Sequence, residues 1–381
     1  MAIALAVTLV LIAVGAVVFH FVSPWQLTPI ASNWHAMDDA LWLTFVITGV
    51  AFVVLHLFVA YALVRFRHRA GHRASAAHGN RRLEWWLIAV TTAGIIGLLA
   101  PGLVVYAKLI DPPASAQVFE VMGRQWQWHY RLPGQDGKLG GASTRFITGA
   151  NPFGIDPKDA HGQDDVLVQG QELHLPLNRP ALALLRAQDT LHDFYVPQFR
   201  TRMNMVPGMT TQFWFTPERT GRYEVLCAQL CGVGHSNMRG WVVIDEPAAY
   251  AEWLAQQPTF AGASSGGAGG SGAPGSSGLP GAPGGPAEPG KVGQLLAQQK
   301  GCMACHSVDG SRGVGPSWKG LYGSTEALEG GATAKVDDAY LRQAINAPQA
   351  SVVRGYPPVM PPAGLTDAEL AAVVDYIKTV R

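Results

Sequence analysis

Twelve consecutive residues, Cys227-Ala-Gln-Leu-Cys-Gly-Val-Gly-His-Ser-Asn-Met238, carry the most specific chemistry in the chain. Two cysteines four apart are followed by His235 and then by Met238. Single-copper electron-transfer sites use one thiolate, two imidazoles and a weak thioether. A second thiolate lets this loop bridge two coppers and spread one electron over both, which keeps reorganisation small. The loop supplies one imidazole, so the other must come from earlier in the chain. His192, in Leu-His-Asp-Phe-Tyr-Val-Pro, sits where a strand of the same small β-domain would end. The cysteine pair alone also reads as a disulfide or half of a zinc site. A zinc site would not place a thioether three residues after its histidine.

A second motif lies near the C-terminus. Cys302-Met-Ala-Cys305-His306 is the c-type haem attachment sequence. Its thiols add across the haem vinyl groups and the adjacent imidazole binds the iron. A redox dithiol is the other reading, and the histidine argues for haem. Met303 lies inside the attachment turn and cannot be a sixth ligand. The chain has 4 cysteines, all within these two motifs, so none remains for a structural disulfide.

The elements that position these motifs follow from composition and periodicity. The 381 residues suggest two or three domains. A net charge of +1 makes no case for nucleic acid binding, and 48% hydrophobic against 14% charged residues points to membrane segments. Ala2–Val22, Leu41–Val64 and Trp85–Ala107 contain no Lys, Arg, Asp or Glu. Each exceeds the roughly 20 residues that a spanning helix needs. Arg65, Arg67, Arg69, Arg73, Arg81 and Arg82 lie between the second and third runs and should face the cytoplasm. Everything after Ala107 then lies on the opposite side. Trp42, Trp85, Trp86 and Tyr106 fit an interfacial aromatic belt. The first run has the length of a signal peptide or of a retained helix. Nothing charged precedes it, which favours the helix. His20 and His56 should be satisfied by neighbours and are given no metal role.

Gln117–Leu132 alternates like strands, and Trp126 and Trp128 should share a strand face. Residues 133–165 are rich in Gly, Pro, Asp and Asn and read as a long excursion, with His161, Asp164 and Asp165 as solvated loop. Strands are expected at Val166–Val168, Leu173–Leu175, Thr190–Val196, Thr211–Phe215, Gly221–Leu226 and Gly240–Ile244, with a turn at Pro207-Gly208. Many short strands with Gly/Pro turns imply a β-sandwich or barrel. Residues 261–290 are almost wholly Gly, Ala, Ser and Pro, a flexible linker spanning roughly 30 Å on average. Lys291–Gln299 should be a helix. Thr366-Asp-Ala-Glu369 is a capping box opening a last helix, whose apolar face is Leu370, Val373, Val374 and Ile377.

The copper-like loop, with His192 ahead of it, resembles the dinuclear copper centre (CuA) of cytochrome c oxidase subunit II. Nitrous-oxide reductase carries the same centre, so the loop alone does not identify the enzyme. The resemblance implies His192, Cys227, Cys231, His235 and Met238 as copper ligands, with the backbone carbonyl of Gln229. Gly123-Arg-Gln-Trp-Gln-Trp-His-Tyr130 resembles the family's aromatic stretch, which implies that electrons enter at Trp126 and that Trp128 is structural. Gln229 stands where the family usually has Glu, and Asn204 where it often has Asp. Both changes remove the hard anionic oxygen that magnesium needs, so a family-type magnesium site is not expected.

Met360, in Tyr-Pro-Pro-Val-Met-Pro-Pro, resembles the distal methionine of small cytochromes c, and a Met/His pair raises the haem potential. Gly313-Val-Gly-Pro316 resembles the loop covering the proximal histidine. Glu84 resembles the family's helix-start glutamate at a proton-channel mouth. A charge that favours the helix dipole is the equal alternative.

The whole order resembles subunit II of a caa3-type oxidase. The fold implied is multidomain: transmembrane helices (1–110), an all-β cupredoxin domain (111–258), a linker (259–290) and an all-α class I cytochrome c domain (291–381). The implied function passes electrons from haem c to CuA and on to haem a in subunit I. There oxygen is reduced at haem a3–CuB, coupled to proton pumping. The implied partners are subunits I and III, a cytochrome c or quinol-oxidising donor complex, and the lipid bilayer. The implied location is a bacterial cytoplasmic membrane with both metal modules on the periplasmic or outer side. A nitrous-oxide reductase would need a second copper cluster, which is not encoded. A quinol-oxidase subunit II would lack these copper ligands. A membrane-tethered electron shuttle outside any oxidase is the competing reading from another class.

Overall fold

In the computed structural model, the described residues are 1–23, 28–68, 71, 79–148, 151–168, 170–265, 289–361 and 363–381. They form two compact units: residues 1–30 with 34–112, and residues 31–33 with 113–381.

The first unit is helical. Helices α1 (Ala2–Val22), α2 (His35–Arg65) and α3 (Arg81–Leu109) are each long and apolar enough to cross a membrane. Most of their apolar side chains point outward, Phe58 and Leu99 among them. That arrangement suits lipid, where a helix satisfies its own backbone groups. The Asn80 side chain caps α3 by accepting from the Leu83 N–H at 3.2 Å. His56 Nδ1 donates to the Phe52 carbonyl at 2.8 Å, and His20 meets Trp42 edge-on at 5.9 Å. Arg69 and Arg73 of the basic cluster lie outside the described residues.

The second unit opens as a β-sandwich. Its strands are β1 (Gln117–Arg124), β2 (Gln127–Leu132), β3 (Val166–Leu167), β4 (Glu172–Pro176), β5 (Ala181–Ala187), β6 (His192–Tyr195), β7 (Arg202–Met205), β8 (Thr211–Phe215), β9 (Gly221–Cys227) and β10 (Arg239–Asp245). A short helix, α4 (Ala160–Gln163), precedes β3. One sheet runs β3-β2-β1-β5-β8 and the other β4-β10-β9-β6-β7. Trp128, Tyr130, Phe194, Phe213 and Phe215 are buried in the core, with Trp128 edge-on to Phe194 at 5.4 Å. A Cβ at Gly240 would stand 2.9 Å from both Trp128 and Tyr130, so its absence lets β10 close on them. The short segment 31–33 is built into this unit. Ala31 N donates to the Gln198 carbonyl at 2.8 Å, and the Ser32 hydroxyl to the Phe199 carbonyl at 2.8 Å.

Within the sandwich, the structure departs from the sequence-based expectations in three places. Strands β5 and β7 were not anticipated. Ala-Leu-Ala-Leu-Leu-Arg-Ala has little β-propensity, but parallel pairing with β1 and antiparallel pairing with β8 override it. Trp126 does not share a strand face with Trp128. Arg124 pairs with Gln127, so Gln125 and Trp126 form the two-residue turn of the β1–β2 hairpin. Asp165 is not solvated loop but fully buried, ion-paired to Arg131 at 2.9 Å. Arg131 is itself buried opposite Glu120, and a buried guanidinium is retained only where anions and carbonyls satisfy it.

After the sandwich come α5 (Pro247–Ala255), α6 (Phe260–Ser265), α7 (Pro289–Gln299), a β11 (Thr325–Ala327) and β12 (Thr333–Lys335) hairpin, α8 (Asp338–Asn346) and α9 (Asp367–Thr379). The linker expected at 261–290 lies outside the described residues from 266 to 288, and its two ends are helical. The capping box forms, with the Thr366 hydroxyl accepting from Glu369 N and the Glu369 carboxylate from Thr366 N. Helix α7 packs on α9, where Gly293 leaves no room for a side chain against Ala372 and Tyr376. Leu370, Val373, Val374 and Ile377 are buried in this smaller core, as the apolar periodicity of α9 requires.

Candidate metal centre

Strand pairing assembles the first ligand set. β6 starts at His192 and β9 ends at Cys227, and Phe194 lies opposite Cys227 across the ladder. The loop then carries Gln229, Cys231 and His235, and Met238 is buried just before β10. His192 Nδ1 stands 3.9 Å from the Cys227 sulfur, and the two sulfurs are 3.6 Å apart. Cys231 Sγ lies 3.6 Å from His235 Nδ1 and 4.0 Å from Met238 Sδ. The Gln229 carbonyl is 3.2 Å from Cys227 Sγ. Ligand atoms of His192, Cys227 and Cys231 lie within 4.8 Å of one another. Both cysteines are free thiols. Hydrogen bonding with Cys231 and with His192 holds the Cys227 thiol far below its ordinary value, and sharing that proton pushes Cys231 up. One thiolate therefore forms readily, and a bound cation must displace the second proton. Two thiolates, two imidazoles, a thioether and a carbonyl match the ligand preferences of copper.

The hairpin turn lies over this loop. Trp126 Nε1 donates to the Cys231 carbonyl at 3.2 Å, and Gln125 Nε2 donates to the same oxygen at 2.9 Å. Gly232 and Gly234 let the indole lie on the backbone. A Cβ at Gly234 would come 2.7 Å from Trp126 Cγ. Gly234 has φ −88°, which alanine adopts freely, so only space forbids a side chain. Gly234→Ala should therefore displace Trp126 and cost about 1–3 kcal/mol of overpacking strain. Thermal melting together with the near-ultraviolet indole signal checks this; an unchanged signal with unchanged stability would refute the close packing. Trp128, by contrast, is fully buried and edge-on to His192 at 6.3 Å, a packing role.

A second ligand set surrounds an apolar cavity. Cys302, Cys305, His306 and Met360 line it, and so do Gln125 and Trp126. His306 Nδ1 donates to the Pro316 carbonyl at 2.7 Å, which leaves Nε2 as the metal-binding nitrogen. Trp318 stacks on the ring at 5.3 Å. Burial lowers the His306 pKa and keeps the imidazole neutral, the form that coordinates iron. A Cβ at Gly315 would stand 2.9 Å from His306 Nδ1, so the covering loop approaches the ring closely. These donors and the apolar lining fit a covalently attached haem. Glu84 is exposed in the first turn of α3.

Three residues of the site were not anticipated: Gln125, Gly234 and Asp189. The His192 ring donates to Asp189 at 2.8 Å. An acidic residue three positions before a metal-type histidine was the only local sign.

Residues 117–246 match cytochrome C oxidase subunit II, periplasmic domain, and residues 291–381 match cytochrome c. The chain is 51% identical over 261 residues to an alternative cytochrome c oxidase subunit 2 of Bradyrhizobium diazoefficiens, covering 68% of this chain and 94% of that one. The chain belongs to the cytochrome c oxidase subunit II family. A cytochrome c oxidase subunit 2 of Alkalihalophilus pseudofirmus is 21% identical over 360 residues, covering 90% of this chain and 86% of that one. This subunit II thus carries a C-terminal cytochrome c domain, the caa3-type fusion, and has an electron-entry role in a haem–copper oxidase. Its N-terminal helices anchor it in the membrane and its COX2 domain is periplasmic. Membership in an oxidase replaces the freestanding shuttle considered from sequence.

Proposed function

We propose that His192, Cys227, Cys231, His235, Met238 and the Gln229 carbonyl hold a dinuclear copper centre, and that Cys302, Cys305, His306 and Met360 hold haem c. Trp126 joins the two sets. The observation that carries this reading is the position of one indole, which lines the cavity of the second set and donates to the Cys231 carbonyl of the first. Bound there, the haem and the copper pair supply one-electron carriers. The chain's own residues do the positioning. Cys302 and Cys305 tether, the Pro316 carbonyl orients His306, and Met360 favours a high potential. Burial of His192, Cys231 and Met238 excludes water from the copper side.

Electrons would continue to haem a in subunit I, with haem a3–CuB reducing oxygen there and driving proton pumping. Subunit III, and a cytochrome c or quinol-oxidising donor complex, complete the proposed assembly. Glu84 is proposed at a proton-channel mouth. The domain divisions 1–110, 111–258, 259–290 and 291–381 remain part of this reading. The basic cluster Arg65, Arg67, Arg69, Arg73, Arg81 and Arg82 supports a cytoplasmic loop between the second and third helices, with both metal modules on the other side of the membrane.

Metal and haem analysis of the purified chain with electron paramagnetic resonance tests the assignment. A copper pair and a single haem c per chain are expected, with a mixed-valence signal shared over both copper nuclei. A single-copper spectrum in fully loaded protein would sink the dinuclear reading.

A further inference from the structure

We propose that Asp189 is a positioning residue that ties the copper ligand His192 to the Gln125–Trp126 turn, so that one carboxylate holds both the ligand and the point where electrons enter. This rests on the copper and Trp126 assignments above.

The geometry starts at His192. Its ring is fully buried, with Nδ1 turned to the Cys227 sulfur and Nε2 to Asp189 Oδ1, at 3.9 and 2.8 Å. A histidine that binds metal through one nitrogen needs its other N–H held, because that bond selects the tautomer and fixes the ring plane. No Cβ intrudes on the other side. One at Gly123 would sit 3.1 Å from His192 Cδ2, so the end of β1 packs directly against the ring.

The second oxygen of the same carboxylate turns the other way. Asp189 Oδ2 accepts the backbone N–H of Gln125 at 2.7 Å. Gln188 N donates to the Gly123 carbonyl at 3.0 Å, so residues 188–189 strap the end of the hairpin. The Gln125 side chain then reaches the Cys231 carbonyl at 2.9 Å. The bonds close a circuit: His192 to Asp189, Asp189 to Gln125, Gln125 to Cys231, and Cys231 back through Cys227 to His192. Trp126 is the next residue on that circuit. A local turn role for Asp189 explains only its bond to Thr190 N, at 2.7 Å.

The circuit requires two acceptor oxygens facing different ways. Asparagine has one acceptor oxygen, so Asp189→Asn can serve His192 or Gln125 but not both. Asp189→Ala serves neither. Asp189→Glu keeps two oxygens on a longer stem.

The test uses the full-length, membrane-embedded chain loaded with copper and haem. Copper retention against a competing chelator, the copper hyperfine pattern and the haem c to copper transfer rate are compared across wild type, Asp189→Asn, Asp189→Ala and Asp189→Glu. Loss of an outer hydrogen-bond partner typically lowers metal affinity about 10–100-fold. The alanine variant should show that loss, an altered hyperfine pattern and slower transfer. The asparagine variant should lose part of it, and the glutamate variant should recover toward wild type. A residue that merely braces a turn would lower the melting temperature and leave affinity and hyperfine pattern unmoved, which would overturn the proposal. Failure of the underlying reading looks different: wild type itself would then lack the two-copper signal. Should Asp189→Ala not fold, the asparagine and glutamate variants decide the matter by the same readouts.

Discussion

Trp126→Ala slows electron transfer from the haem c module to the copper pair by an order of magnitude or more and leaves copper bound. The change removes no proposed copper-binding atom, because Trp126 reaches Cys231 only at its backbone carbonyl. The copper loop keeps its other tie to the hairpin, because Gln125 still donates to the Cys231 carbonyl at 2.9 Å. What disappears is the indole that lines the haem cavity and reaches that carbonyl with its N–H. The gap left above Gly232 and Gly234 opens to water, so a hydrogen-bonded and packed contact with the copper loop becomes a solvent gap. Flash-induced kinetics on fully loaded protein, with copper content and paramagnetic resonance in parallel, separate transfer from binding. Trp126→Phe keeps the ring and loses the N–H, and should fall between the two. Normal rates at full occupancy in the alanine variant would reduce Trp126 to packing.

Arg131→Ala should destabilise the sandwich by about 3–5 kcal/mol, the usual cost of breaking a buried ion pair from one side. The Arg131 guanidinium donates to Glu120 at 2.7 Å, to Asp165 at 2.9 Å and to the Gly140 carbonyl at 3.1 Å. The side chains of Glu120 and Asp165 are 3% and 0% exposed, so without the cation two carboxylates lie buried together. Arg186 still pairs with Glu120 at 2.7 Å, so Asp165 is the carboxylate that loses most with Arg131. Arg131→Lys keeps the charge and loses the planar fork, so an intermediate loss is expected. Denaturant unfolding measures it, and a change under about 1 kcal/mol would show that the network contributes little. The network lies on the hairpin whose far end is the Gln125–Trp126 turn, so its loss should loosen that turn as well.

Local chemistry was legible in the sequence wherever the partners are close along the chain. The Cys227–Met238 loop, the Cys302–His306 attachment motif and the Thr366–Glu369 cap each act within a few residues, so spacing alone specifies them. The spanning helices satisfy their own hydrogen bonds and need only a long apolar run. Tertiary structure decided what depends on strand register. His192 and Cys227 are separated by 35 residues and meet only because β6 lies beside β9. Trp126 falls in a turn rather than on a strand because Arg124 pairs with Gln127. Asp165 is buried because it meets Arg131 from a distant loop, and β5 is a strand because β1 and β8 flank it. Asp189 finds both His192 and Gln125 for the same reason: the partners of a backbone or a carboxylate in a sheet are chosen across the ladder, and composition along the chain does not encode that choice.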